Sequence, residues 1–518
     1  MVMGGALAAA ACSPIASPQA SSSASGAPAG TAAGATGSAT PKKGGTLHYG
    51  RITDINSPNG LKTGQTDWIG LTQFYDTLTV YDPSLTPHPA LAESWDFSTD
   101  AKRLKVSLRK GVHYHSGKEF TANDVKYTAL LVRDPKIGSQ LADPSKWITD
   151  MQIPDKYTII FTFDKPRPSI FDLLNDMWIV DQQTIEGAKG ATAENGTGPF
   201  KLVEWVPGNR IRMTRNPDYW DPGRPYLDEV DVVVIKDPQA LLVQLESGAV
   251  SVAERVPERD AARYQKTSGY SVYLNKHGSD VYYVGANCRN HPFDDKRVRQ
   301  AINYALDRER FLKDVLSGIG EASDLAWPEG SPAYEASKIK KYDHDLDKAK
   351  SLFQQAGATD IPLYLISNAG QPPLADQAQQ LQADLAKIGV KLNVQTLQIP
   401  EWRDQFFKGS WKGLISGPFG PSNEHPLATF TTSAPFIPGK STTGFTSDQY
   451  AKLVAELEVA ADVAKQKQLY SELNDLMLDE SFVMPMIHQQ PNIVMKSNVH
   501  DISQQLNGGI LLRDAWIG

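Results

Sequence analysis

The stretch 91–125, LAESWDFSTDAKRLKVSLRKGVHYHSGKEFTANDV, decides the fold of this chain. In its first half, Leu104, Val106 and Leu108 alternate with charged or polar neighbours, which predicts a half-buried strand that we expect to run over 105–115. After a turn at 116–118, Thr121 and Asp124 have the spacing of a capping box, which predicts the start of a helix. The stretch is therefore expected to be a strand, a turn and a helix.

Two histidines of this stretch, His113 and His115, share one face of the expected strand, and that spacing can bind a metal ion. A lone pair of histidines is a weak signal, and no further His, Cys or carboxylate lies at ligand spacing nearby. Asp124 already has a capping role, and Glu119 falls in the turn. We therefore expect this stretch to have a structural role and not to bind a metal ion, and we expect no metal or cofactor in the protein.

Length and composition limit the class of protein. A chain of 518 residues is too long for one ordinary domain and predicts two or three packed units. The net charge of −7 argues against nucleic-acid binding, and no apolar run reaches the roughly 20 residues that span a bilayer. We find no P-loop, no GxSxG, no HExxH and no dinucleotide fingerprint, so we expect a protein that is not an enzyme.

The first 43 residues differ from the rest of the chain in their high content of small residues. The run GGALAAAAC (4–12) resembles a bacterial lipobox, in which Cys12 is acylated; an ordinary signal peptide with a stray cysteine is the alternative. Residues 1–12 lack a positively charged n-region, so we expect an incomplete lipoprotein signal segment. Residues 13–43 are almost entirely Ala, Ser, Pro, Gly and Thr, which predicts a disordered linker. Cys288 is then unpaired, and we expect it to be a buried small apolar residue.

Strand patterns dominate up to about residue 285, and helical periodicity grows stronger after 295. One helix is expected over 298–316 and a long helical pattern over 448–478. Apolar residues at helical spacing up to Ile388, a stop at Gly389 and alternation over 390–394 give the order helix, glycine, strand. That order is typical of an open α/β sheet.

The opening stretch resembles the signature of the family 5 solute-binding proteins of ABC importers, a group that includes oligopeptide-, dipeptide- and nickel-binding proteins. Tyr114 stands where the family has phenylalanine. Three further segments, 196–220, 227–250 and 287–312, resemble the family in the same order. The matching positions are Trp95, Leu108, Arg109, Gly111, Val112, His115, Gly117, Ala122, Asp124 and Val125.

The resemblance implies an α/β, two-lobed periplasmic-binding-protein-like fold with a third domain inserted in the first lobe. Placed on this sequence, the inserted domain is 81–195 and lobe II is 281–489. Lobe I consists of 44–80, 196–280 and 490–518. The chain should cross between the lobes near 281–287 and near 484–491.

The resemblance also implies a function: a lipid-anchored receptor that captures a peptide or peptide-like solute between its lobes and delivers it to the transmembrane subunits of an ABC permease. We expect a monomer on the extracytoplasmic face of the bacterial cell membrane, held there by its lipid. An oligosaccharide or another neutral polar solute is the alternative ligand. A non-transport envelope receptor or scaffold, and a glycosidase with two carboxylates, are the alternative classes of protein.

Candidate ligand-binding residues come from both lobes. On the lobe I side the loop 53–60 follows the first strand, and on the lobe II side aromatic residues cluster, most of them expected in the core and some at the cleft. The candidates are Asp54, Asn56, Asn59, Tyr283, Trp402, Phe419, Ser422, Asn423 and Glu424.

One segment bears on the class of ligand. Peptide-binding members of the family resemble one another at W-G-x-D-Y-x-D-P, where the Asp pairs with the α-ammonium group of the peptide. The corresponding stretch here is FGPSNEHP (419–426), with Ser422 in the place of that Asp. Glu424 is its only carboxylate, and a solvated loop residue is the alternative reading of it. We therefore expect weak binding of free-amine di- and tripeptides.

Overall fold

The computed structural model describes residues 40–54, 61, 68–183, 195–278, 280–420 and 425–518. Its strands are β1 (Thr46–Arg51), β2 (Thr79–Tyr81), β3 (Pro87–Pro89), β4 (Ala92–Phe97), β5 (Arg103–Leu108), β6 (Ile148–Asp155), β7 (Thr158–Phe163), β8 (Phe200–Val206), β9 (Arg210–Arg215), β10 (Glu229–Val234), β11 (Val252–Glu254), β12 (Tyr270–Leu274), β13 (Val281–Ala286), β14 (Glu321–Ala322), β15 (Leu363–Asn368), β16 (Leu392–Leu397), β17 (Leu414–Phe419), β18 (Val483–His488), β19 (Asn492–Lys496), β20 (Val499–His500), β21 (Ser503–Gln504), β22 (Ile510–Leu511) and β23 (Trp516–Ile517).

Helices alternate with these strands in the second half of the chain and are sparser in the first. They are α1 (Trp68–Phe74), α2 (Ala122–Leu131), α3 (Ala142–Ser145), α4 (Ile170–Asp176), α5 (Pro238–Ser247), α6 (Glu258–Tyr264), α7 (Lys296–Ala305), α8 (Arg308–Asp314), α9 (Leu346–Gln355), α10 (Pro372–Lys387), α11 (Ile399–Lys408), α12 (Pro426–Thr432), α13 (Asp448–Val459) and α14 (Val463–Glu480). No helix among the described residues is long and apolar enough to cross a membrane.

Lobe I is built on a seven-stranded sheet in the order β12-β19-β11-β1-β10-β9-β8. Its central strand β1 pairs in parallel with β10 and β11, so the carboxyl ends of these three strands lie at the same edge. The run EVDVVV forms β10 between β1 and β9, with Val230 and Val232 fully buried.

Lobe II is built on a six-stranded sheet in the order β14-β18-β13-β17-β15-β16. Here β15 pairs in parallel with both β16 and β17. The predicted αβ unit is confirmed: α10 is followed by Gly389 at φ +84° and then by β16. Only glycine adopts that backbone conformation without strain, so the helix ends there.

The chain passes from the seven-stranded to the six-stranded sheet between β12 and β13 and returns between β18 and β19. The four-stranded sheet of the inserted domain, in the order β4-β5-β7-β6, shares a continuous apolar core with lobe I. Separate clusters of buried residues cover the two faces of the six-stranded sheet.

The opening stretch folds nearly as predicted. Asp124 accepts hydrogen bonds from the backbone N–H and the hydroxyl of Thr121, at 2.9 and 3.0 Å, and the capping box of α2 is complete. The strand is shorter than expected, because β5 ends at Leu108 and Gly111 adopts φ +71°. His113 forms only an isolated bridge with Glu119 beyond that turn.

Two helical predictions were wrong in the same way. The helix expected over 298–316 is α7 and α8, divided at Leu306, where the backbone is extended. The pattern over 448–478 is α13 and α14, divided before Asp462. Asp307 and Asp462 each accept a hydrogen bond from a backbone N–H of the helix that follows, at 3.0 and 2.8 Å. A capping aspartate starts a new helix even where the apolar spacing continues.

Candidate functional site

The two chain crossings lie side by side. The backbone N–H of Gln489 donates to the carbonyl oxygen of Asp280 at 2.8 Å, and that of Asn275 donates to Pro491 at 2.9 Å. Asn275 and Asp280 of one crossing are therefore hydrogen-bonded to Pro491 and Gln489 of the other. Two short neighbouring strands that connect two lobes are typical of a hinge.

On the lobe I side, charged side chains meet at the carboxyl ends of β1 and β11. Arg51 and Glu254 are paired in register, and the Arg51 Nε lies 3.5 Å from Glu254 Oε2. Both side chains are almost fully buried. The Tyr49 hydroxyl donates to the same carboxylate at 3.2 Å, and burial, with the Glu254 charge, raises the pKa of Tyr49 well above its usual value. This edge of the sheet therefore carries a buried charge pair.

On the lobe II side, the candidate aromatic residues are packed against one another. The rings of Tyr283 and Phe419 lie edge to face with centroids 5.2 Å apart. Trp402 lies against Gly417 of β17 and donates its indole N–H to the carbonyl oxygen of Ser416 at 3.1 Å. The Tyr283 hydroxyl is buried and has no hydrogen-bond partner among the described residues. The three aromatic side chains are therefore chiefly core, with one unsatisfied polar group.

Asp280 lies where the hinge enters lobe II. It precedes β13 directly and lies opposite Gly420, the residue after β17. Burial raises the pKa of Asp280, and the positive charge of Arg255 from lobe I opposes that shift. Arg255 follows β11 and has φ +54°, a strained conformation for arginine. Charged groups from both lobes therefore converge at this point.

The inserted domain also reaches lobe II. The Lys165 ammonium group forms an ion pair with Glu458 of α13. Lys165 follows β7, so the pair joins one end of the inserted sheet to a lobe II helix. The inserted domain and lobe II are thus in direct contact.

The structure places four of the nine predicted ligand-binding residues. Asp54 is half-buried just beyond β1, and Tyr283, Trp402 and Phe419 lie together in lobe II. The aromatic cluster is mostly core as predicted, with Phe407 exposed as the exception. The predicted residues Asn56, Asn59, Ser422, Asn423 and Glu424, and the lipid attachment residue Cys12, lie outside the described residues.

The histidine pair of the opening stretch has no arrangement suited to a metal. The Nε2 atom of His115 donates to the carbonyl oxygen of Gly198 at 3.0 Å, and burial lowers the pKa of His115 to about 4. In the parts of the chain that the structure describes, no group of three or more His, Cys, Asp or Glu side chains could hold a metal ion.

The sequence reasoning missed Arg51, Glu254 and Asp280. Arg51 and Glu254 each end a strand of the parallel pair, and a charged residue at the carboxyl end of such a strand is a usable signal for a site. Asp280 precedes a continuously apolar strand and carries the same kind of signal.

Comparisons with known proteins agree on one family. Residues 86–434 match the profile of the bacterial extracellular solute-binding proteins, family 5 middle. The chain is 30% identical over 391 residues to the oligopeptide-binding protein AppA of Bacillus subtilis (strain 168), with 70% of each chain covered. It is 26% identical over 446 residues to di/tripeptide-binding protein 3 of Pseudomonas aeruginosa (strain UCBPP-PA14), covering 80% of this chain and 83% of that protein.

Solved structures share the fold. NikA from Brucella suis in complex with Fe(III)-EDTA has a TM-score of 0.83 at 21% identity, covering 92% of this chain and all (100%) of that one. AppA from Bacillus subtilis in complex with a nonapeptide has a TM-score of 0.75 at 23% identity, with 92% and 100% covered. The fold of this chain is thus shared with these structures.

Proposed function

The chain belongs to the bacterial extracellular solute-binding proteins of family 5, and from that premise we propose that it is the peptide-binding receptor of an ABC importer. As a member of a family of binding proteins, it is a solute-binding protein and not an enzyme. We also propose that it is a monomer and that a lipid on Cys12 anchors it to the outer face of the cell membrane. It delivers its solute to the transmembrane subunits of a permease.

One observation carries this proposal. Asn275 and Asp280 of one crossing are hydrogen-bonded to Pro491 and Gln489 of the other, and Arg255 of lobe I lies close to Asp280. Two lobes on a narrow hinge can enclose a solute and release it again. A solute that contacts both lobes lowers the free energy of the closed form relative to the open form, and no covalent step is needed.

The domain limits and the ligand site belong to the same proposal. Lobe I comprises 44–80, 196–280 and 490–518, the inserted domain 81–195 and lobe II 281–489. The strands of the seven-, six- and four-stranded sheets fall within these limits, whereas β2 (Thr79–Tyr81), which pairs with β3, is divided by the boundary between 80 and 81. The solute lies between the loop after β1 and the loop after β17. The nine candidate residues are proposed to contact it. Six of them follow β1 or β17 in the sequence, and Tyr283, Trp402 and Phe419 belong to β13, α11 and β17.

A neutral polar solute such as an oligosaccharide is the second candidate. It is favoured by one sequence feature, Ser422 in the place of the aspartate that binds the α-ammonium group of peptides in the family. A serine hydroxyl cannot neutralise an ammonium ion.

Identification of the co-purified solute tests both candidates. The full chain is purified without refolding, denatured, and the released small molecules are identified by mass spectrometry. Release of peptides supports the first candidate. Release of saccharides alone would replace it with the second, and calorimetry with the identified compound would then give its affinity.

A further inference from the structure

An arginine in a strained backbone conformation lies at one edge of the lobe I sheet. Arg255 directly follows β11 and has φ +54°. Because β1 and β11 are parallel, their carboxyl ends lie at the same edge of the sheet. Ligands of open α/β sheets bind outside the carboxyl ends of the strands. Arg255 therefore lies at the edge where a solute held between the lobes would contact lobe I.

The backbone of Arg255 is held in place by Asn492, the first residue of β19 after the return crossing. The backbone N–H of Arg255 donates to the carbonyl oxygen of Asn492 at 2.8 Å. The Asn492 side chain accepts a hydrogen bond from the backbone N–H of Val256 at 3.1 Å and donates one to the Val256 carbonyl oxygen at 2.9 Å. Residues other than glycine keep a positive φ only where their surroundings fix it, and such residues cluster at functional sites. The fold thus fixes Arg255 beside the hinge.

The guanidinium group of Arg255 has unused hydrogen-bond donors. Its Nε atom lies 3.7 Å from Oε1 of Glu254, and the Arg255 side chain is 42% exposed. Glu254 is already paired with the buried Arg51 and accepts the hydrogen bond of the Tyr49 hydroxyl. Over the part of the chain that the structure describes, the Nη1 and Nη2 atoms of Arg255 make no hydrogen bond, and its guanidinium forms no second ion pair. The two arginines therefore carry one more positive charge than Glu254 balances.

The turn between β21 and β22 lies beside this guanidinium group. A Cβ atom on Gly508 would lie 3.8 Å from Nη2 of Arg255. The same turn is tied to the first crossing, because Nδ2 of Asn275 donates to the carbonyl oxygen of Gln505 at 3.1 Å. A planar guanidinium group with free Nη donors matches the two oxygen atoms of a carboxylate, to which it can donate two parallel hydrogen bonds. The chemistry of this position therefore suits an acidic group.

We propose that Arg255 binds a carboxylate group of the solute, so that the solute is negatively charged where it contacts lobe I. The proposal rests on the proposed receptor function only in that a solute binds between the lobes, and it does not require that solute to be a peptide. A peptide or another acidic solute carries the group that Arg255 would bind. A neutral oligosaccharide does not carry it.

Asp280 is the alternative acceptor for Arg255. The positive charge of Arg255 acts on Asp280, but no ion pair joins the two side chains among the described residues. If Arg255 served only to balance the charge of Asp280, its loss would weaken the binding of acidic and neutral solutes alike. If Arg255 binds a carboxylate of the solute, its loss weakens the binding of acidic solutes alone. The two roles therefore predict different results for one variant.

Calorimetry on the full chain with three N-blocked probes tests the proposal. N-acetyl-tetra-alanine amide is uncharged, N-acetyl-tetra-alanine has a carboxylate at its C-terminal end, and N-succinyl-tetra-alanine amide has one at its N-terminal end. Each probe is titrated into the parent chain, Arg255→Gln and Arg255→Lys.

Arg263→Gln is the matched control. Arg263 is another exposed arginine of lobe I beside a glutamate, with its Nη2 atom 3.5 Å from Oε1 of Glu246. Glu246 lies at the carboxyl end of α5, the helix that connects the carboxyl end of β10 to the amino end of β11. Arg263 therefore lies toward the opposite edge of the sheet, away from the proposed site.

One of the two acidic probes should bind the parent chain and Arg263→Gln about ten- to a hundredfold more tightly than the neutral probe, because hydrogen bonds between charged groups are the stronger ones. Arg255→Gln should remove this advantage and leave the affinity for the neutral probe unchanged. Arg255→Lys should keep part of it, since lysine retains the charge but not the paired donors. Equal affinities of the parent chain for all three probes, or equal weakening of all three in Arg255→Gln, would overturn the proposal.

Failure of all three probes to bind the parent chain would reject the peptide proposal alone. The molecules released from the parent chain and from Arg255→Gln by denaturation, identified by mass spectrometry, would then decide the role of Arg255. An acidic molecule that is several-fold less abundant in Arg255→Gln supports a carboxylate site. Release from the parent chain of molecules that all lack a carboxylate would overturn it.

Discussion

Asp280 and Gly420 lie opposite each other, one residue beyond the paired positions Val281 and Phe419 of β13 and β17. A methyl group on Gly420 would overlap Oδ1 of Asp280 and lie 3.3 Å from its Cγ. A larger residue at 420 would therefore displace the Asp280 carboxylate. The backbone at the end of β17 and the hinge residue Asp280 are thus fixed by one contact.

Gly420→Ala should destabilise the protein for this reason. Forcing an extra methyl group into a filled space costs about 1–3 kcal/mol. The free energy of unfolding, measured with urea, should fall by that amount. The double variant with Asp280→Ala should recover most of the loss because the overlapping atoms are removed. Equal losses in the single and the double variant would contradict this explanation.

The ion pair between Lys165 and Glu458 should slow the release of solute. Its side chains are 37% and 27% exposed, so the pair should contribute only about 0.2–1 kcal/mol to the closed form. Lys165→Ala should raise the dissociation rate of the co-purified solute by a few-fold in stopped-flow measurements, and less at high salt.

The charge-reversed double variant, Lys165→Glu with Glu458→Lys, should restore the slow rate. Lys146→Ala removes another ion pair of the inserted domain, one made to Asp143 within the same domain, and should change nothing. A rate raised equally by both alanine substitutions would mean that the effect does not come from contact with lobe II.

Asp307→Ala should destabilise lobe II. The carboxylate accepts a hydrogen bond from the backbone N–H of Arg310 at the start of α8, and loss of such a cap costs about 1 kcal/mol. Asp314→Ala is the control, because Asp314 lies at the other end of α8, where a negative charge is unfavourable. Urea unfolding should separate the two variants, and equal stabilities would exclude a capping role for Asp307.

The division at Asp307 also shows what apolar spacing predicts and what it cannot. Ala305 and Leu312 are seven residues apart, about two helical turns, so the apolar pattern keeps its phase across the break. The apolar spacing therefore predicts which face of each helix is buried, but it does not predict that the segment consists of two helices. Single capping residues predicted helix ends better than apolar spacing did: the start of a helix at Thr121 and the end of another at Gly389 were both predicted correctly.

The site depends on contacts that no local pattern contains. Tyr49 and Glu254 are 205 positions apart and meet because β1 and β11 pair in parallel. Lys165 and Glu458 come together only when two domains pack. The alternation of apolar residues predicts that a segment is a strand. Which distant strands pair with each other depends on the packing of the whole core.

Cys12→Ala should release the protein from the membrane when it is expressed behind a complete lipoprotein leader. The prediction depends on the run of small residues that ends at Cys12 and on the linker after it, which has too few apolar residues to form a core. Immunoblots of medium and membrane fractions provide the measurement. Unchanged membrane association would exclude Cys12 as the anchor, whereas Cys288→Ala should leave the distribution unaltered.

Free-amine di- and tripeptides should bind weakly, and their N-acetylated forms at least as well. Ser422 stands where an aspartate would pair with the α-ammonium group, and removal of one partner from a buried ion pair costs about 3–5 kcal/mol. Calorimetry with matched free and acetylated peptides measures the difference. Tight binding of the free-amine set that is lost in Glu424→Gln would show that Glu424 replaces the missing aspartate. Tight binding that survives in Glu424→Gln but is lost in Asp280→Asn would place the anchor at the hinge, because Asp280 is the carboxylate that adjoins Gly420 at the start of this segment.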